Sequence, residues 1–511
     1  MSQSGAFSSE LRNFAPPTTV DLLRCEDEPI HIPGAIQSHG CLFEISSQGK
    51  ILRVSSNARL LLGIAAHDLL EKPIESALGA RPAAWLAQTL PGLAPAVMRS
   101  ARFSLDNGDA GTVIAHRYDE HDIVEWLPDT EHGVPAPEAM ERALSGAMAL
   151  ARGAADMNTA MQHIADGVAA ATGIDRVMVY RFHPDWHGEV VAEAVQPDLT
   201  PYLGLHYPAS DIPAQARRLF LAARARVIAD VYARDAILLD ADPIVGEPQL
   251  DLSQSVLRSV SPVHIQYLRN MGTGATLVTS LVADGELWGL ISCHHRSRYP
   301  FPWYAHDRMR SFTEEVALVV AEHRVRERQA RERRYAQSRS QLVAALPGAQ
   351  QAVVDLLLQS LDASGALLCS GSRVQSFGQV PVAARTLVDT VLAQQDDLGA
   401  TAHVTERFAS APALAEAAGM AWLVLSRPQR QLLLVLRPEF AHTVNWGGDP
   451  SKPALPDPVS RRLSPRGSFE LWQQTVHGQS RPWETAALQH LVFLRDQAVA
   501  AELIRRVFGA R

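Results

Sequence analysis

The chain has 511 residues, 47 Lys and Arg against 55 Asp and Glu, a formal net charge of −8, and 47% apolar and 20% charged residues. This is a soluble, globular balance sized for roughly two to four domains, and it excludes a broadly basic nucleic-acid-binding surface. No apolar run reaches the roughly 18 residues of a membrane span, the first residues lack a secretory pattern, and four dispersed cysteines without a CxxC pair fit a reducing, cytoplasmic setting and argue against a disulfide scaffold or a cysteine-zinc site.

Residues 1–20, with Pro16-Pro17, read as a flexible arm. Residues 42–45, the turn 47–50 and residues 51–54 read as strand, glycine turn, strand. They look like the opening of a PAS domain, an antiparallel sheet with small helices over 21–135. A helix is expected from about Ala139, with Leu144, Met148, Met157, Met161 and Ile164 on one face and Gly173 closing it. Strands follow at 176–181 and 189–194, and residues 277–282 and 287–293 form a hairpin around Asp284-Gly285. Sheet and helices over 136–325 look like a GAF domain. Residues 305–346 contain neither Gly nor Pro, and Met309, Phe312, Val316 and Val319 form a helical stripe. This long helix is either a solvated linker or a dimer-forming spine. A third α/β unit follows over 326–511, with a Pro-, Gly- and Ser-rich excursion at 442–478 that is too long for an ordinary connection. Leu488, Val492, Val499 and Leu503 mark a last amphipathic helix running almost to Arg511. No ATP-binding domain follows in this sequence.

Several short strings carry chemistry. Cys25 precedes Glu28-Pro29-Ile30-His31-Ile32-Pro33-Gly34, and downstream comes Tyr207-Pro208-Ala209-Ser210-Asp211-Ile212-Pro213. Taken alone, Cys25 is a free surface cysteine or a nucleophile, and Asp211 sits in a proline-stiffened turn suited to presenting a carboxylate. His264 and His294, on separate segments, are either satisfied core histidines or a polar cluster around a ligand. Cys41 and Cys293, flanked by apolar residues, read as core. Trp446-Gly447-Gly448 and Pro465-Arg466-Gly467-Ser468-Phe469 punctuate the long excursion.

In this order, these strings resemble the bacteriophytochromes, red/far-red photoreceptors that bind the linear tetrapyrrole biliverdin. The resemblance covers essentially the whole chain. It implies an α+β fold of three domains (PAS, GAF and PHY) with antiparallel sheets and flanking helices. A long connecting helix, an N-terminal figure-of-eight knot near Ile36, and a PHY tongue at 442–478 complete it. It implies biliverdin IXα joined by a thioether to Cys25. Val263, directly before His264, stands where plant and cyanobacterial phytochromes carry their linking cysteine, and it cannot link. By the same resemblance the Asp211 main-chain carbonyl faces the pyrrole nitrogens and its side chain contacts the tongue arginine, and Ile212 is a further chromophore contact. His264 lies beside those nitrogens, Ser261 is a further chromophore contact, and His294 meets the D-ring carbonyl. Arg226, Arg258 and Thr276 hold the propionates, with Phe220 departing from a frequent tyrosine. Tyr180, Tyr207 and Tyr267 line the rotating D ring, and His295 is structural. Asp211, Arg466 and Ser468 form a switch latch. Trp472 matches a position used in the tongue's other state, and Gln474 departs from an acid there.

The chain then reads as a photosensory module and not an enzyme. C/D methine isomerisation switches the tongue and signals to an absent output domain of the histidine-kinase type with its response regulator. A homodimer through the long helices is expected. Two other readings stand beside it. One is an enzyme using His31, His39, His264, His294 and His295 as metal ligands or Cys25 as nucleophile. The other is a GAF-type tetrapyrrole sensor without photochemistry.

Overall fold

The computed structural model describes residues 28–95, 97–241, 250–408, 411, 414–451, 455–456, 463–464 and 469–509. Two compact units emerge, one of residues 1–321 with 445–472 and the other of residues 322–444 with 473–511.

The first unit opens with a seven-stranded sheet. Its order is Ala35–Ile36, Ala236–Asp240, Ile51–Ser55, Cys41–Ile45, His121–Pro128, Ala110–Tyr118, Met98–Ser104. Cys41–Ile45 is buried at every position, as expected when both faces of a strand are covered. Cys41, Phe43 and Ile45 pack under the small helices with Leu69, Leu78 and Trp126. Leu42 faces the other way, against Ile36, Leu238, Leu250, Leu252 and Leu257. The second cover comes from residues 236–241 and 250–257, far along the chain, and the strand Ala236–Asp240 pairs with Ile51–Ser55.

Residues near Ile36 are clamped on both sides. Ala35 and Ile36 pair with Ile237 and Ala236, Ile36 also bridges Arg258, and the Gln37 amide donates to the Leu257 carbonyl at 2.7 Å. The Gln37 side chain donates to the Val227 carbonyl at 2.9 Å. Glu125, wholly buried, accepts from the amides of Val256 at 3.1 Å and Leu257 at 2.7 Å and meets His116 at 3.1 Å.

A second sheet follows, antiparallel in the order Ala225–Ile228, Ala275–Ala283, Glu286–His295, Arg176–Phe182, Gly188–Val195, His206–Tyr207, and continues through Trp446, which pairs in parallel with His206. Strand alternation divides its residues. Val177, Val179, Ile291 and Cys293 pack with Leu144, Met161, Ile164 and Phe312. Met178, Tyr180 and Leu290 face the opposite side. The turn at Asp284-Gly285 has φ 55° and 80°, the primed geometry expected there.

One expectation is corrected. The single helix from Ala139 to Gly173 is two helices, Pro137–Gly153 and Met157–Thr172. Asp156 caps the second by accepting from the Thr159 amide at 2.9 Å, and a side-chain cap of this kind starts a new helix. Gly173 does close it, at φ 68°.

The long helix runs Trp303–Ala345, 43 residues, about 64 Å at 1.5 Å per residue. Met309, Phe312, Val316 and Val319 are buried, whereas residues 325–330 are exposed.

The second unit holds a five-stranded sheet in the order Arg373–Gly378, Gly365–Ser370, Gln431–Arg437, Gly419–Ser426, Leu398–Thr401. Leu423, Leu433 and Val435 pack with Leu357, Leu491 and Leu503 on one side. Trp422, Leu432 and Leu434 pack with Val388 on the other. The last helix is also two, Thr485–Asp496 and Val499–Phe508, because Ala498 adopts φ 53° between them, a left-handed conformation that ends a right-handed helix. Among the described residues no helix is long and apolar enough to cross a membrane.

Replacing Glu125 with Ala leaves two buried backbone N–H groups without an acceptor, at roughly 1–3 kcal/mol each. Thermal unfolding of Glu125→Ala is expected to show a destabilisation of about 2–6 kcal/mol on that basis, with Glu125→Gln milder. An unchanged midpoint would remove Glu125 from this role.

Candidate functional site

The cavity-facing side of the second sheet encloses about 790 Å³. Asp211, Ile212, Arg226, Arg258, Ser261, His264, Tyr180, Tyr207, Tyr267, Thr276 and His294 all line it, together with Phe220 and Val263. Cys25, Arg466 and Ser468 lie outside the described residues.

Alternation along Glu286–His295 brings Ser292 and His294 to the cavity, and His295 points the other way to meet Asp175 at 2.9 Å. Thr276 stands directly across from His294 in the adjacent strand. The His294 ring contacts the hydroxyls of Ser292 at 3.1 Å and Thr273 at 3.4 Å. Burial, with the Arg176 charge adding, pushes its pKa down to about 3. His264 lies in the helix Pro262–Asn270, lowered to about 4 by burial and then by the Arg226 charge. Both imidazoles are therefore neutral at pH 7.

Arg226 and Arg258 supply positive charge. Arg226 donates to the carbonyls of Val256 at 3.3 Å, Ser259 at 2.9 Å and Arg258. Burial and then the neighbouring Arg258 hold it well below the usual arginine value. Arg258 is lowered by burial to about 10, and its Nη1 is buried without a hydrogen-bond partner among the described residues. Neither guanidinium forms an ion pair among those residues. Two buried cations on one cavity wall are costly unless an anion joins them.

The segment bearing Asp211 is held from below, where Arg217 Nη1 donates to the carbonyls of Ile212 at 2.7 Å and Ala209 at 3.4 Å. The Tyr267 hydroxyl donates to Asp211 Oδ2 at 2.9 Å. Its ring stacks towards His264 at 6.1 Å and receives Phe469 edge-on at 5.0 Å. Tyr180 and Tyr207 lie 6.2 Å apart, and each is flush against a glycine. A Cβ on Gly188 would come 1.8 Å from the Tyr180 ring, and one on Gly447 would come 2.7 Å from Tyr207. Glu28 and Ile30 close the wall, and Ser261 Oγ donates to Glu28 at 2.6 Å.

Several contributors escaped the sequence. Ser292 carried a signal, two positions before His294 on the same strand face; Thr273 and Arg217 carried none. The metal reading of His31, His39, His264, His294 and His295 is corrected. None of these belongs to a metal-sized cluster among the described residues, and those that do converge are His183, His187 and His206. Cys41 and Cys293 are buried as expected; burial pushes the Cys41 thiol up to about 12.

Three family descriptions match the chain, "PAS fold" at residues 25–128, "GAF domain" at 156–323 and "Phytochrome region" at 331–506. The chain is 37% identical to a bacteriophytochrome of Xanthomonas campestris, over 95% of this chain and 79% of that protein. A bacteriophytochrome structure from R. palustris superposes with TM-score 0.81 at 34% identity, over 95% of this chain and 99% of that one. The Stigmatella aurantiaca phytochrome photosensory core module superposes with TM-score 0.80 at 33% identity, covering 94% and 99%.

In the chain without added ligand, His294 stays neutral in the fold down to about pH 3 but takes up a proton below about 6.5 when unfolded. The unfolded state binds more protons between those values, so stability falls as pH drops through that window, by about 1.4 kcal/mol per pH unit for one such group. His294→Gln is expected to flatten the pH dependence of Tm between pH 6.5 and 4 relative to wild type; parallel curves would count against a buried neutral imidazole.

Proposed function

The chain belongs to the bacteriophytochrome family, and on that premise we propose that it senses red and far-red light through biliverdin IXα held in this cavity and joined by a thioether to Cys25. One observation carries the reading: Arg226 and Arg258 are buried on the wall of a cavity of about 790 Å³ with no carboxylate paired to either among the described residues. A linear tetrapyrrole with two propionates brings the anions those cations need. It supplies, when bound, the visible absorption and the isomerisable C/D methine bridge.

The chain's own residues do the rest. Arg226, Arg258 and the Thr276 hydroxyl bind the propionates. His264, with Ser261 near it, keeps a neutral imidazole beside the pyrrole nitrogens, where the Asp211 and Ile212 backbone also lies. Cys25 is three residues ahead of Glu28, a tether reaching at most about 11 Å, and Glu28 is on the cavity wall. Val263 lines the same wall and offers no nucleophile. Tyr180 and Tyr207, tilted 47° to each other, form an aromatic wall that excludes water yet lets a ring turn. His294, held by Ser292 and Thr273, offers the D-ring carbonyl a hydrogen-bonding partner.

Asp211 couples the cavity to the tongue. Its carboxylate accepts from Tyr267, and it is the expected partner of Arg466, with Ser468 nearby. Altering the D-ring contacts of His294 and the tyrosines shifts that latch and lets the tongue exchange hairpin for helix, a bistable element biased from one site. The long helix carries the change to an output domain of the histidine-kinase type acting on a response regulator in the cytoplasm, and two chains pair along these helices. Light scattering at micromolar concentration is expected to give the mass of a dimer.

Absorption spectra with biliverdin before and after red light test the core of the reading. A reversible red/far-red difference is expected, with pigment retained on denaturation by wild type and released by Cys25→Ala. Uptake without photoconversion would leave a tetrapyrrole sensor; no uptake would overturn the proposal. Arg258→Ala is expected to weaken uptake roughly tenfold to hundredfold, the worth of a charge-assisted hydrogen bond of about 1.5–3 kcal/mol.

A further inference from the structure

The turn between Arg176–Phe182 and Gly188–Val195 carries His183 and His187, and the short strand His206–Tyr207 pairs beside it. The rings of His183 and His187 stack at 4.1 Å, and His206 lies 5.7 Å and 5.3 Å from them. One nitrogen from each of the three falls within 4.8 Å of the others. No other group of three His, Cys, Asp or Glu among the described residues converges in this way.

We propose that His183, His187 and His206 form a binding site for a borderline divalent transition-metal ion of the Zn²⁺ class. Imidazole donors suit Zn²⁺, Ni²⁺ and Cu²⁺ and exclude Ca²⁺ and Mg²⁺, which take oxygen. The outer contacts support the assignment. Glu189 meets His183 Nε2 at 3.0 Å, and Asp185 meets His187 Nδ1. A carboxylate on one ring nitrogen fixes the imidazole and makes the other nitrogen a better donor. His206 Nδ1 is buried with no hydrogen-bond partner among the described residues, and a polar atom left in that state asks for an explanation.

Charge does not forbid an ion here. The nearby Arg181 is paired with Glu189 at 2.7 Å. A tetrahedral ion completes its shell with water.

The location gives the site a consequence. His206 pairs with Trp446 of the tongue, whose indole lies 5.9 Å from His206 and 5.8 Å from His187. An ion held by these rings favours the arrangement in which the tongue strand is docked on this edge, by ordinary linkage. None of the three histidines lines the pigment cavity.

Calorimetric titration of Zn²⁺ into the metal-stripped chain, freed of any histidine tag, tests the proposal. A single equivalent is expected to bind. Asp185→Asn is expected to weaken it by roughly tenfold, and His187→Gln and His206→Gln each by more than the roughly tenfold to hundredfold that loss of an outer partner costs. Circular dichroism checks that each variant is folded. Should both single variants misfold, Co²⁺ added to wild type serves instead: d–d bands of a low-coordinate nitrogen site support the proposal, and the bands of a hexa-aqua ion overturn it. Absence of saturable Zn²⁺ uptake by wild type, or an isotherm unchanged in His187→Gln/His206→Gln, would also overturn it. Neither result bears on photoconversion, which fails or survives separately.

Discussion

The geometry of the cavity depends on a buried carboxylate in a different domain. Glu125 accepts the amides of Val256 and Leu257, and Gln37 takes the neighbouring carbonyl of Arg258 and that of Val227. The Ser259 amide donates to the Ala35 carbonyl at 3.2 Å. Residues 255–261 are thus fixed from the first sheet. They in turn hold Arg226 through three carbonyls and carry Arg258 and Ser261 to the cavity. A charged group without solvent is positioned well only when its surroundings are rigid. The crossing near Ile36 supplies that rigidity by tying two domains into one unit.

Strand alternation does the other half. One face of the second sheet is a dense apolar layer under two helices, and the opposite face presents Tyr180, Thr276, Ser292 and His294 to the cavity. A single residue's shift in register would exchange these sets. The extensive pairing of Ala275–Ala283 with Glu286–His295 over its length protects the site as much as the fold.

What the sequence made legible was local. Gly173 and Asp284-Gly285 sit at positive φ, a demand glycine and aspartate advertise. The break between the two helices before Gly173 was hidden because the apolar stripe continues across it, although Asp156 was there to cap. The strand Ala236–Asp240 joining the first sheet could not be read, because its partner lies almost two hundred residues away and β pairing has no local code. The cavity-lining residues were reached through motif resemblance and not through periodicity. His183, His187 and His206 went unnoticed for a physical reason: their spacing converges only through a hairpin turn and a separate strand, so no helical or zinc-finger pattern marks it.

The long helix has a mechanical corollary. From Trp303 to Ala345 it has no glycine, proline or kink-forming break in sequence, so it transmits angle as well as distance. Each residue added within its exposed stretch turns everything beyond it by about 100° and advances it about 1.5 Å. Seven residues nearly restore the original phase, to within roughly 20°. Length variants of this segment therefore fall into angular families, and a partner domain grafted beyond it inherits a phase as well as a position.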